Sequence, residues 1–136
     1  MNIITVWSKV IQNSDRLKQS IKDIDFQQDN LNNLIKYTKE YFENVKKFKN
    51  LISNKDDNNQ YKIYNEYLEV NLGIIGNEFM NIKEKNIDLY NTLINSIEEL
   101  HIKELEYYNK KLIEDYTPYD IHRLKGKKDE EYNGWY

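Results

Sequence analysis

The sequence predicts an all-α protein: two long antiparallel helices, coiled-coil-like, followed by a kinked helical extension. Three observations predict it. Apolar residues recur at alternating steps of three and four, the period of a helix that buries one stripe. Neither Pro nor Gly interrupts residues 1–72. The one Pro of the chain, Pro118, stands in a helix-start signal near the C-terminus. A mean hydropathy of −0.91, with 39% hydrophobic and 32% charged residues, fits long helices that keep a polar outer surface. Without the periodicity, the same polarity would read as disorder.

The first stripe is Trp7, Val10, Ser14, Leu17, Ile21, Ile24, Gln28, Leu31, Ile35, Thr38, Phe42, Val45, Lys49 and Ile52. Leu34, Tyr41 and Phe48 widen it, as expected of a helix with two neighbours. It reads as a single helix over 8–53, about 70 Å long at 1.5 Å per residue, with an amphipathic start over 1–14. Ser53 to Gln60 is a polar run of cap and turn residues, the length of a helix–helix connection.

The second helix reads from 61 to 116. Its stripe is Leu68, Leu72, Ile75, Phe79, Ile82, Asn86, Leu89 and Leu93, drifting afterwards to Ile97, Leu100, Leu105, Tyr108 and Leu112. Gly73 and Gly76 inside it mark either close approach of a neighbouring helix or a local break, since each costs about 1 kcal/mol relative to Ala. Thr117, Pro118 and Asp120 then suit the cap, first and third positions of a kinked continuation over 118–136. Residues 1–136 thus read as one elongated module, its two helices joined through the stripes. Tyr41, Phe48, Tyr90 and Ile94 fall off the shared seam, so self-assembly or a helical partner protein is expected.

Catalytic chemistry finds little to use. The chain has no Cys and two His, His101 and His122, which lie far apart in sequence. Glu98 and Glu104 flank His101 at helical distances, but a solvated helix face explains them better than a ligand set. The pairs Asp56/Asp57, Glu98/Glu99 and Glu130/Glu131 are sequence neighbours and point apart on a helix. No phosphate loop or nucleophile motif is present. The expectation is a protein that is not an enzyme, with no metal and no cofactor. The formal charge of −3 comes from a basic first third, an acidic middle and a slightly basic end, which leaves no dense surface for nucleic acid.

Two segments suit a surface. Ile3, Ile4, Trp7, Val10 and Ile11 gather on one helical face, and no acid precedes Asp15. This is either an interfacial membrane wedge or the stripe continuing into the core. The stretch has a faint likeness to a mitochondrial presequence, though it is poor in Arg. Arg123, Lys125, Lys127 and Lys128 put four cations into six residues. They either bind anionic headgroups, at about 1 kcal/mol each, or form a solvated helix end balanced by Asp129, Glu130 and Glu131.

The order of these features resembles the first half of a BAR domain of the amphiphysin type. An amphipathic start with an early Trp precedes a long heptad helix, a short connection and a second helix with a Pro bend. Asp120, Ile121, Arg123, Lys125, Lys127, Lys128 and Tyr132 then resemble that family's acidic–Ile start, basic run and Tyr. The resemblance implies a dimerising, membrane-associating module. Arg123, Lys125, Lys127 and Lys128 would contact anionic lipid, and Ile3, Ile4, Trp7, Val10 and Ile11 would form the wedge, at a cytoplasmic peripheral membrane. The rival expectation is a non-catalytic helical subunit of a larger complex, mitochondrial in one version, with no direct lipid role.

Overall fold

The structure, a computed structural model, describes residues 2–24, 28–53 and 59–115. Among these residues it is all-helical: α1 (Ile3–Lys22), α2 (Gln28–Ser53), α3 (Asn59–Lys85), α4 (Ile87–Ile94) and α5 (Glu99–Asp115). The all-α class is therefore present, in five pieces.

The helix read over 8–53 is two helices, and this corrects the sequence reading. The Asn2 side chain caps α1 by accepting from the Ile4 N–H at 2.7 Å. The Asp23 N–H closes the helix on the Gln19 and Ile21 carbonyls. No Gly or Pro marks this stop. Acids at a helix C-terminus oppose its dipole, and Asp23 sits there. Larger gains come from folding back: Asn44 donates to Asn13 at 2.6 Å, Arg16 reaches Glu40 at 3.6 Å, and Trp7 meets Phe48. Rising numbers in α1 meet falling numbers in α2, so the two form an antiparallel hairpin. The stripe that one straight rod would present to a single partner is buried by its own second half.

The helix read over 61–116 also breaks. Asn86, placed on the stripe by its spacing, is extended (φ −157°, ψ 92°), and its side chain accepts from the Leu89 N–H. It caps α4 instead of continuing α3. A second turn at residues 95–98 reverses the chain into α5. The cap chemistry was present in Asn86 and Asp88, but the heptad spacing masked it.

Cross-contacts set the directions. α3 runs parallel to α1, with Trp7 against Tyr64 and Ser14 bonded to Asn71. α5 runs antiparallel to α3, with Lys111 bonded to Glu69, and lies beside α2 through Lys49–Glu104. The long helices α1, α2, α3 and α5 thus form an up-down-up-down bundle, with short α4 packed against α3. α3 is its axis: Asn71 to Gly76 are buried at six consecutive positions, as in a helix enclosed on all sides.

The two glycines decide the α3–α5 distance. A Cβ on Gly73 would stand 2.7 Å from the Tyr108 carbonyl oxygen, and one on Gly76 would collide with the Leu105 carbonyl oxygen. Close approach, not a helix break, is the reason for both.

The expected packing residues are inside. Leu17, Ile21, Phe42, Val45, Leu68, Leu72, Ile75, Phe79, Ile82 and Leu93 are buried, while Ile24, Leu31, Ile35 and Leu89 are half-buried against them. Tyr41, Phe48 and Tyr90, the supposed excess, are buried too. These three side chains thus find their cover within one chain, and Ile94 is partly covered beside them. The kinked continuation over 118–136 lies outside the described residues.

Candidate interaction surfaces

Surfaces matter here because the interior is filled by one continuous apolar core tied by a buried polar network. At its centre, Tyr41 O–H donates to Asn71 Oδ1 at 2.6 Å, and Asn71 Nδ2 donates to Ser14 Oγ at 3.1 Å. The three residues join α2, α3 and α1 at one level. Polar groups in a bundle core satisfy one another only in one register, so they select a single arrangement of the helices. Burial, and secondarily Glu104, pushes the Tyr41 phenol well above its usual range. The group is a structural donor.

The wedge reading is corrected in part. Val10 is wholly buried. Trp7 is half-buried, its ring 5.0 Å from Phe48, 6.3 Å from Tyr64 and 6.1 Å from Tyr67. Ile3 packs against the core as well. A helix whose face is held by α2 and α3 cannot also lay that face in a bilayer. Of the five residues, only Ile4 is largely exposed, at 56%. It stands one turn before Trp7, just as Ile63, at 47%, stands one turn before Tyr67, at 51%. The result is an aromatic and aliphatic patch at the end of the bundle where α1 and α3 begin.

A second exposed apolar row lies on α5. Leu100 is 70% exposed and Tyr107 is 62% exposed, while Leu105 and Leu112 point inward. Glu99 and Lys103 beside them pair at 3.3 Å.

His101 is less solvated than its sequence context suggests. Its ring stacks on Phe42 with centroids 4.0 Å apart and planes 2° from parallel, and Nε2 lies 3.7 Å from Glu98. Phe42 and His101 share a groove with Lys39, Lys46 and Ser96. Glu98 and Glu99 face different partners, His101 and Lys103. Among the described residues no three His, Cys, Asp or Glu side chains converge on a metal position. None of the described helices is long and apolar enough to cross a membrane. The lipid-contact candidates Arg123, Lys125, Lys127 and Lys128, the Thr117–Asp120 start signal and His122 lie outside the described residues.

Sequence reasoning missed Val6, which takes the core position given to Trp7, as well as Ile74 and the buried amides Asn71 and Asn109. Val6 was visible in the series Val6, Val10, Ser14, Leu17, Ile21, an alternative start of the same stripe. Nothing local distinguished Asn71 from the many exposed Asn residues. The Asn109 Oδ1 is buried without a hydrogen-bond partner among the described residues.

Set beside family models, curated proteins and solved structures, the chain matches none.

Proposed function

We propose that the chain is a non-catalytic helical binding module that joins a larger protein assembly through the patch around Trp7. The observation that carries this reading is the exposure of Ile63 and Tyr67 one turn apart on α3 and of Ile4 one turn before Trp7, with Trp7 itself 6.1 Å from Tyr67, on a chain in which one residue in three is charged. Large apolar groups clustered on a polar surface mark binding sites, whereas single ones do not. Tyr and Trp suit the task because their rings bury much area at little entropic cost and carry a polar tip. Trp7 and Tyr64 pack against Tyr67, and Phe48 packs against both of them, so a partner would meet a prearranged surface.

The double variant Ile63→Ser, Tyr67→Ser tests the reading, since both side chains are exposed enough to be replaced without opening the core. The tagged full chain, cross-linked in the cells that make it, is expected to retain a stoichiometric protein partner. The variant, with unchanged helical circular dichroism, is expected to lose it by at least about tenfold, the size of one lost hot spot. An identical set of bound proteins with both chains would refute the assignment.

A membrane role has separate support in the density of cations at Arg123, Lys125, Lys127 and Lys128. Sedimentation with anionic vesicles at low salt distinguishes it. Pelleting that disappears when these four become Glu would replace the protein partner with a lipid surface.

A further inference from the structure

The outward face of α5 carries a short repeat of which the bundle engages only Glu106, whose carboxylate accepts from the Tyr90 O–H at 3.5 Å. Glu99-Leu100-x-x-Lys103 recurs seven residues later as Glu106-Tyr107-x-x-Lys110. All six named residues are exposed. At about 100° per residue, Leu100, Lys103, Tyr107 and Lys110 fall within roughly an 80° sector opposite the buried Leu105 and Leu112. Leu100 and Tyr107 are the two most exposed large apolar side chains among the described residues. An amphipathic helix with its inner stripe already buried gains nothing by placing a second apolar row in water.

We infer that this row is where a second copy of the chain docks, α5 against α5 in antiparallel orientation about a two-fold axis near residues 104 and 105. The charges determine both occupant and direction. Turned end for end, one copy sets Glu99 opposite the second copy's Lys110 and Lys103 opposite its Glu106, and Leu100 comes beside its Tyr107. The two-fold axis doubles each pair, giving four opposite-charge contacts around a strip of two Leu and two Tyr. A parallel copy would put Glu on Glu and Lys on Lys. The other flank is already engaged inside the bundle, where Glu104 holds Lys49 and Lys111 holds Glu69. Glu99 and Lys103 pair within the helix, but both are so exposed that exchanging this partner for one across the axis gives up little. Self-complementarity of this kind is what an isologous contact requires. The helix face is short, so the contact belongs to the small, weak class below about 1,200 Å².

Sedimentation equilibrium of the full chain at low salt, from about 10 µM to about 1 mM, covers the range such a contact reaches. A monomer–dimer equilibrium is expected. Lys103→Glu with Lys110→Glu makes the face wholly acidic, and Glu99→Lys with Glu106→Lys makes it wholly basic. Each double variant alone should weaken dimerisation at least about tenfold, and an equimolar mixture should restore it as a heterodimer. Leu100→Ser, which alters no charge, should also weaken it. A wild-type chain that stays monomeric throughout, charge variants that dimerise as well as wild type, or a mixture that stays monomeric would each overturn the assignment.

Discussion

Tyr41 shows how much one side chain can hold. It lies fully buried on α2, donates to Asn71 on α3, and through that amide is connected to Ser14 on α1. Tyr41→Phe would keep the ring and leave Asn71 Oδ1 without its donor, a loss of about 1–3 kcal/mol. The residue also makes the fold sensitive to alkali. Its folded pKa is raised by burial and then by Glu104, so the folded state holds the phenol proton more tightly than the unfolded chain does. Above the unfolded value of about 10, the unfolded chain releases this proton first, and stability falls as pH rises further. Tyr90 and Tyr108, raised mainly by burial and next by Glu106 and Glu69 respectively, act in the same direction. Urea unfolding at pH 8 and at pH 10.5 should show wild type losing stability between the two. Tyr41→Phe should start lower and lose less.

At the scale of elements, the α3–α5 contact is the tightest feature of the fold. Gly76→Ala should be destabilising by about 1–2 kcal/mol, although Ala favours helices by up to about 1 kcal/mol. The reason is that the added methyl meets the Leu105 backbone carbonyl, which cannot rotate away as a side chain could. Thermal unfolding followed by circular dichroism would measure the loss; an unchanged or raised Tm would contradict the close approach. The close-approach reading of these glycines was available from the sequence. The helix ends were not. Residues 23–27 contain neither Gly nor Pro, and Asn86 falls on a heptad position, so local spacing favoured continuity at both places. Tertiary burial decided otherwise, because a hairpin covers more of the Val10, Leu17, Val45 and Phe48 surface than a rod can.

For the whole molecule, this difference changes the shape. A single helix over 8–53 would be about 70 Å long, with a radius of gyration near 20 Å, whereas a compact chain of this length has about 14 Å. Small-angle X-ray scattering at low concentration should fall near the compact value, and a rod-like profile would contradict the bundle. The residues of the core were legible even though their partners were not. Leu72, Ile75, Phe79 and Leu93 were identified by periodicity and are buried, but the period cannot say whether a stripe meets another molecule or its own chain. The candidate surfaces were harder to see. Ile63 and Tyr67 follow no stripe, and the Glu99 to Lys110 repeat gains meaning only once Leu105 and Leu112 are known to face inward.

The hairpin arrangement also bears on speed. α1 with α2, and α3 with α4 and α5, are each closed by short connections, so most contacts join residues near in sequence. Only a few ties cross between the halves, Tyr41 to Asn71 and Lys49 to Glu104 among them. Chains organised this way reach their native state in microseconds to milliseconds. Asn71, whose partners Tyr41 and Ser14 both lie in the other half, gains its hydrogen bonds only where the two halves meet.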